Sequence, residues 1–117
     1  VASNEASSHI NFKNKVVEAQ EGDTLLTLKE LAPVRLLKNK FFDDIQNLYL
    51  TTPTKDELIT LLGRARAKKG MFEGDLVEGE LEIGQVAGLI HEIKPAAQII
   101  QEIVEEFETA KKEIANY

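Results

Sequence analysis

Cysteine is absent from this 117-residue chain, and so is any long apolar run. Without a thiol the chain has no disulfide, no thiolate metal site and no cysteine nucleophile. No run approaches the roughly 18 apolar residues that a transmembrane helix needs, and no apolar leader opens the chain. We therefore expect one soluble domain without membrane association and with a cytoplasmic location.

Positive charge and histidine are both scarce. The chain has 14 Lys and Arg residues against 20 Asp and Glu, a net charge of −6. This balance argues against nucleic-acid binding, which depends mainly on neutralising phosphates. The two histidines, His9 and His91, have no partner at a spacing typical of a catalytic triad or a metal motif, so we expect both to serve local helix structure. We predict no catalytic residue and no metal ligand.

Helical periodicity dominates what is present. Apolar residues recur every three or four positions after Pro95 and predict one long helix over residues 94–117, whose apolar stripe must pack against something of comparable length. Residues 54–57 have the form of a capping box and predict a helix that frays near residues 69–70. Weaker patterns predict a helix over residues 38–50 and another that Ser7 or Ser8 caps.

Only residues 24–28 have a strand-like pattern, and no second segment stands out as a partner strand. The acidic, glycine-rich stretch over residues 71–93 is long for a connection inside a helical bundle. Both features suggest that the chain covers another structure. The first residue is Val1, with no initiator Met, so we expect a chain that has been processed or cut from a longer one.

Charged residues cluster on either side of Gly70. Glu78, Glu80 and Glu82 are alternate carboxylates that could gather a hard cation, but they lack the pattern of a calcium loop, and we interpret them as a solvated loop. The basic residues 64–69 could bind a phosphate group. We favour the interpretation that they interact with the last carbonyls and the dipole of the preceding helix.

Gly84 and Gln85 follow the acidic stretch and open a short apolar helix over residues 84–91, which we expect to bury its side chains at positions 86, 87, 89 and 90. A glycine here would let a ligand or another backbone approach closely, and the first N–H groups of a helix are free donors. Tight helix packing at Gly84 and Gly88 explains the same residues equally well.

The run EGELEIGQVAGLI at residues 78–90 resembles the C-terminal region of the nitronate monooxygenases (2-nitropropane dioxygenases) and the related FMN-dependent enoyl-acyl-carrier-protein reductases. A glycine-rich acidic stretch there precedes a Gly-Gln that opens a short apolar helix, and a long terminal helix follows. His9 with Phe12, and Arg35 with Asn39, agree with the family in the same order.

The resemblance implies a mainly α fold, the helical C-terminal portion of a (β/α)₈ TIM-barrel flavoprotein. Residues 1–23 would be the end of the barrel with a barrel helix, residues 24–93 a helical cap with a flavin-facing loop and a short helix at residues 79–91, and residues 94–117 the long terminal helix. The positions that match the flavin-facing turn are Glu82, Ile83, Gly84 and Gln85. This chain departs from the family at Glu82 and Ile83, where many relatives have small residues, so its flavin pocket would be narrower.

The activity implied is that of an FMN-dependent oxidoreductase of the nitronate monooxygenase type acting on a small molecule, an alkyl nitronate. The FMN would be bound mainly by an upstream barrel, and this chain alone would be catalytically silent. The alternative is enoyl thioester reduction with NAD(P)H, in which the basic residues 64–69 could contact an acidic carrier protein. A second alternative is a non-enzymatic helical interaction domain. The full-length enzyme could form a homodimer.

Overall fold

Short helices and one β-hairpin precede a single long helix in the computed structural model, which describes residues 1–117. The elements in chain order are α1 (Ile10–Glu18), β1 (Thr24–Thr27), β2 (Val34–Leu37), α2 (Lys40–Tyr49), α3 (Lys55–Leu62), a π-helical turn (Lys68–Phe72), a 3₁₀ helix (Gln85–Leu89) and α4 (Ala96–Ala115). The mainly helical prediction is confirmed. None of these helices has the length and apolarity that crossing a membrane requires.

Side chains cap the first turns of α1 and α3. The α1 cap is His9, whose Nδ1 accepts from the Asn11 N–H at 3.1 Å, so the expectation that a serine caps this helix was wrong. His9 makes the local hydrogen bond expected of it. The capping box of α3 is confirmed, because the Glu57 N–H donates to Thr54 Oγ1 and the Thr54 N–H donates to Glu57 Oε2.

The helix α3 ends at Leu62, seven residues before the expected end. Gly63 follows with a φ of +65°, a backbone conformation that suits glycine and terminates the helix. Arg66 then folds back, and its guanidinium donates to the carbonyls of Leu61 and Leu62 at 2.8 Å each. These bonds satisfy two of the carbonyls that a helix end leaves without intrahelical partners.

The strand β1 has a partner, contrary to the sequence expectation. It pairs antiparallel with β2, with Thr24 opposite Leu37 and Thr27 opposite Val34. A third extended segment continues the sheet, because the Leu37 N–H donates to the Leu81 carbonyl at 2.9 Å and the Ile83 N–H donates to the Arg35 carbonyl at 3.2 Å. The sheet therefore places the start of the suspected flavin-facing turn beside β2.

Two hydrophobic clusters lie on either side of β2. Leu37 belongs to the cluster formed with α1, Leu81 and Ala87, and Leu36 belongs to the cluster formed with α2 and Leu58. Successive strand residues point to opposite faces, so β2 contributes to both clusters. The turn after Leu81 is thus attached to the part of the chain with the most buried side chains.

The helix α4 is the long helix predicted, but its apolar stripe is not covered. No residue of α4 is buried, and the exposed apolar side chains are Ile100, Ile103, Val104, Phe107 and Ile114. The helix is attached at its start, where Ser3 pairs with Lys94 and Glu5 Oε2 accepts from the Ala96 N–H at 2.8 Å. The partner of comparable length that the stripe needs is not provided by this chain.

Candidate cofactor-facing turn

The turn over residues 82–85 leaves the sheet edge and leads into the 3₁₀ helix. Glu82 forms an antiparallel bridge with Leu36, and the Ile83 side chain packs against the cluster around Phe12. Gly84 is extended, with a φ of −77°, and its carbonyl accepts from the Ala87 N–H at 3.1 Å to close the first 3₁₀ turn. The bridge at Glu82 and the packing of Ile83 therefore fix the position of Gly84 and Gln85.

An open cleft lies on each side of the 3₁₀ helix. The first, of about 590 Å³, lies between this helix, the N-terminal residues and the start of α4, and its lining includes Ile83 and Gly84. The second, of about 660 Å³, lies between the same helix and the loop after α1, and its lining includes Gln85 and Arg35. Glu82 lines neither cleft. Three of the four predicted cofactor-facing residues therefore line a cleft. Ile83 and Gly84 line the first cleft, and Gln85 lines the second.

Packing explains one glycine of this region and not the other. A Cβ at Gly88 would lie 3.2 Å from the Glu21 nitrogen, so this glycine permits close contact between the 3₁₀ helix and the loop after α1. A Cβ at Gly84 would meet nothing within 4 Å. Of the two explanations that the sequence left open, tight packing therefore holds at Gly88, whereas nothing in this chain requires a glycine at position 84.

Two backbone donors and one side chain of the turn are unused within the chain. Neither the Gly84 N–H nor the Gln85 N–H donates to a protein acceptor, and the Gln85 side chain makes no hydrogen bond within the chain. A carboxamide can both donate and accept. Free N–H donors, a carboxamide and open space at a residue without Cβ form a donor set that fits the carbonyl and imide groups of an isoalloxazine.

The expectation that the short helix buries its side chains at positions 86, 87, 89 and 90 was wrong at positions 86 and 89. Val86 is 62% exposed and Leu89 is 74% exposed, whereas Ala87 is buried. Ile90, just after the 3₁₀ helix, is half-buried and packs against the cluster around Phe12. The Val86 and Leu89 side chains instead form walls of both clefts.

The alternate carboxylates before the turn are not a uniformly solvated loop. Glu78 pairs with Lys40 at 2.7 Å and with Arg66 at 3.6 Å, while Glu80 is buried, with 8% of its surface exposed. Burial, reinforced by the charge of Glu82 and opposed by that of Arg66, raises the pKa of Glu80 to about 7. No group of His, Cys, Asp or Glu side chains in the structure could hold a metal ion.

Two arginines have well-defined positions beside the turn. Arg66 bonds the last carbonyls of α3, as expected for the basic residues 64–69. The guanidinium of Arg66 lies 4.2 Å from the centroid of the Phe41 ring and donates to the Glu78 carbonyl, so this member of the basic block has a structural role. Arg35, on β2, donates from Nη1 to the Thr24 carbonyl at 2.9 Å and to Thr24 Oγ1 at 3.3 Å. Its remaining donors are available to the second cleft.

A glycine turn with unused donors, beside a long helix with an uncovered apolar face, is typical of a segment that completes a larger protein. The family model of nitronate monooxygenase matches residues 1–106. The chain belongs to the nitronate monooxygenase family, a family of FMN-dependent oxidoreductases.

Two solved structures are similar to the whole chain. FabK from Thermotoga maritima is 36% identical with a TM-score of 0.85, and the M276A mutant of FabK from Thermotoga maritima is 35% identical with a TM-score of 0.80. Each match covers 100% of this chain but only 37% and 34%, respectively, of the FabK chains. The chain thus spans about a third of the length of these two proteins. No curated protein matches the sequence.

Proposed function

We propose that this chain is the helical C-terminal portion of a (β/α)₈ flavoprotein and that the complete protein is an FMN-dependent oxidoreductase of the nitronate monooxygenase type. The observation that carries the proposal is the turn at Gly84 and Gln85, whose open glycine and unused donors have no role within the chain. Membership of the family supports the choice of flavin as the group that the turn faces.

Each residue of the turn has a separate part in this proposal. FMN, when bound, supplies the redox chemistry. Gly84 lets the flat ring approach the backbone, and Gln85 donates to or accepts from its edge. Ile83 anchors the turn to the hydrophobic cluster, and Glu82, at the sheet edge outside both clefts, would hold the start of the turn through its bridge with Leu36. The turn would bind and orient the ring and exclude water from one side of it.

The uncovered stripe of α4 supports the placement beside a barrel. A helix with one apolar face needs a partner surface that removes that face from water. In the (β/α)₈ architecture, the outer helices pack their apolar faces against the strands. The apolar side chains of α4, from Ile100 to Ile114, would then be the inner face of the last barrel helix. Residues 1–23 would contribute the end of the barrel, and residues 24–93 the cap.

The test is made on a polypeptide that joins this chain to the family's upstream barrel. We expect bound flavin with its visible absorbance bands, and oxygen consumption that depends on an alkyl nitronate. A colourless polypeptide that is indifferent to FMN would refute the proposal. If NAD(P)H is oxidised by an enoyl thioester and oxygen consumption does not depend on a nitronate, the flavin assignment stands but the nitronate monooxygenase type is refuted.

The turn itself is tested by the Gln85→Ala variant of the same polypeptide. Loss of a hydrogen bond to the ring should weaken FMN binding about fivefold to tenfold or shift the flavin spectrum. The matched control is Gln101→Ala, because Gln101 lies on the polar face of α4 and bonds only Glu105. If both variants match the parent in FMN affinity and spectrum, then Gln85 does not contact the flavin.

A further inference from the structure

We propose that the second cleft is an oxyanion subsite, in which Arg35 and Gln85 hold the negatively charged end of a substrate. The ligand class is a small group with two or more equivalent oxygens, such as a nitronate or a phosphate. The assignment to a substrate rests on the function proposed above, whereas the binding of an oxyanion rests on the cleft alone.

Arg35 is a half-buried cation without an anion. It forms no ion pair within the chain, and its two acceptors, both on Thr24, are neutral oxygens. The other half-buried arginine, Arg66, has the Glu78 carboxylate at 3.6 Å and the face of Phe41 at 4.2 Å. Partial desolvation of a charge is costly unless an opposite charge compensates it. An anionic ligand in the cleft would supply that compensation.

The geometry of the sheet fixes Arg35 in the cleft. Its backbone carbonyl accepts from the Ile83 N–H at 3.2 Å, and its Nη1 donates to Thr24 at the start of the neighbouring strand β1. Backbone and side chain are therefore both held, and Nε and Nη2 remain unused. A guanidinium held in this way presents a planar fork that matches two oxygens of an oxyanion.

Gln85 lines the same cleft and brings a second, neutral donor. A carboxamide has two N–H donors and a carbonyl acceptor, so it can bond the edge of the ring and an oxyanion beside the ring together. Its carboxamide is exposed and unbonded, and the walls beside it are the exposed side chains Val86 and Leu89. Polar groups that hold one end of a ligand next to apolar walls are typical of small-molecule sites. The arrangement suits an oxyanion that carries an alkyl chain.

One carboxylate opposes the proposal and provides a test of it. Glu21 lines the cleft but forms no ion pair with Arg35. Its charge would weaken the binding of an anion by repulsion. The Glu21→Gln variant leaves Arg35 and its bonds to Thr24 in place, so it should bind an oxyanion about twofold more tightly.

The experiment is an NMR titration of the 117-residue chain with inorganic phosphate and, separately, with propyl nitronate, at constant ionic strength. We expect saturable shifts of the Arg35 guanidinium and Gln85 carboxamide signals. Arg35→Gln should weaken binding about tenfold, and the matched control Arg64→Gln, at an exposed arginine, should leave it unchanged. Stabilisation of the hairpin alone would not make Arg35 signals respond to an anion.

Each outcome decides the proposal. Shifts that do not saturate, or equal affinities in the parent, Arg35→Gln and Glu21→Gln chains, would overturn it. Tighter binding of the nitronate would identify the substrate's own oxyanion, and tighter binding of phosphate would identify the phosphate of a nucleotide or carrier; both support the subsite. If the chain binds the anion but the joined polypeptide shows no flavin bands, the proposed function is refuted and the subsite stands. If the joined polypeptide shows flavin bands but the chain binds no anion, the subsite is refuted and the proposed function stands.

Discussion

Replacing Glu80 by glutamine should change how the stability of the chain depends on pH. The carboxyl group is buried beside the candidate turn, and burial raises its pKa from 4.5 to about 7. The folded chain therefore holds this proton more tightly than the unfolded chain does. Between about pH 4.5 and about pH 7 the unfolded chain has lost the proton while the folded chain retains it, so this group makes the free energy of unfolding fall as pH rises.

The size of the effect follows from the two pKa values of Glu80. A difference of about 2.5 corresponds to on the order of 3 kcal/mol of destabilisation above pH 7, with none below the unfolded pKa. Glu80→Gln has nearly the same shape and no charge. The stability of the variant relative to the parent should therefore increase by about 2–3 kcal/mol between about pH 4 and about pH 8.

The assay is urea unfolding of the parent and variant chains at both pH values. Any cost of packing the carboxamide is the same at each pH and cancels in the comparison. Glu82→Gln should act in the same direction but less strongly, because repulsion from Glu82 is the smaller cause of the raised pKa. Glu18→Gln, at an exposed residue, should give no such change. If Glu80→Gln alters stability equally at the two pH values, the reasoning from burial is wrong.

Four further substitutions test the local structure by equilibrium unfolding or sedimentation. Thr54→Ala should cost about 1 kcal/mol of unfolding free energy, because it removes the capping hydrogen bond to the Glu57 N–H; an unchanged urea midpoint would show that the cap contributes nothing. Gly79→Ala should destabilise by about 2 kcal/mol or more, since its Cβ would overlap the Gly70 backbone, whereas Gly84→Ala should stay within about 0.5 kcal/mol; equal losses would contradict this. Phe107→Ser should reduce self-association of the chain in sedimentation, because Phe107 is 61% exposed on the uncovered stripe of α4. Equal sedimentation coefficients of the parent and variant chains at high concentration would contradict self-association through this stripe.

The helices whose signals are local could be predicted from the sequence. The capping box at Thr54 involves residues three positions apart, and the stripe of α4 recurs every three or four residues along a helix of 20 residues, so neither depends on the rest of the chain. The end of α3 was missed because Gly63 and the folded-back Arg66 stop it, and the second is a contact that periodicity does not reveal.

The hairpin and the buried carboxyl depend on contacts between distant residues. Each strand has four residues, too few for a pattern of alternation, and Leu36 and Leu37 are both buried because clusters lie on both faces of β2. Glu80 is buried although it alternates with two charged neighbours. Its N–H donates to the Arg66 carbonyl at 3.0 Å, and Gly79 touches the backbone of Gly70, so the fold of the loop, not the local pattern, sets its environment.

The candidate site was also predicted from the sequence only in part. The sequence indicated Gly84 and Gln85 through their position before a helix, and the structure places them at the two clefts. Arg35 agreed with the family's order but was not predicted to bind a ligand, because a single arginine in a strand is indistinguishable from a surface residue until its partners are known. Only the pairing of β2 with the segment after Leu81 brings it beside Gln85.

The turn at residues 82–85 and α4 form one continuous exposed surface, which favours a single partner over two separate ones. The first cleft is lined both by Val86 and Leu89 of the 3₁₀ helix and by Ile99 at the start of α4. From Ile99 the apolar stripe continues along α4 to Ile114 without a buried residue. Separate partners for the turn and the helix would each leave an apolar edge in water where they meet, at this cleft. A single body that contacts α4 along its length and reaches the turn would bury both edges, and the flavin-binding barrel proposed above has that shape. On that proposal the exposure of Val86, which is unfavourable in the isolated chain, has the same cause as the exposure of Phe107.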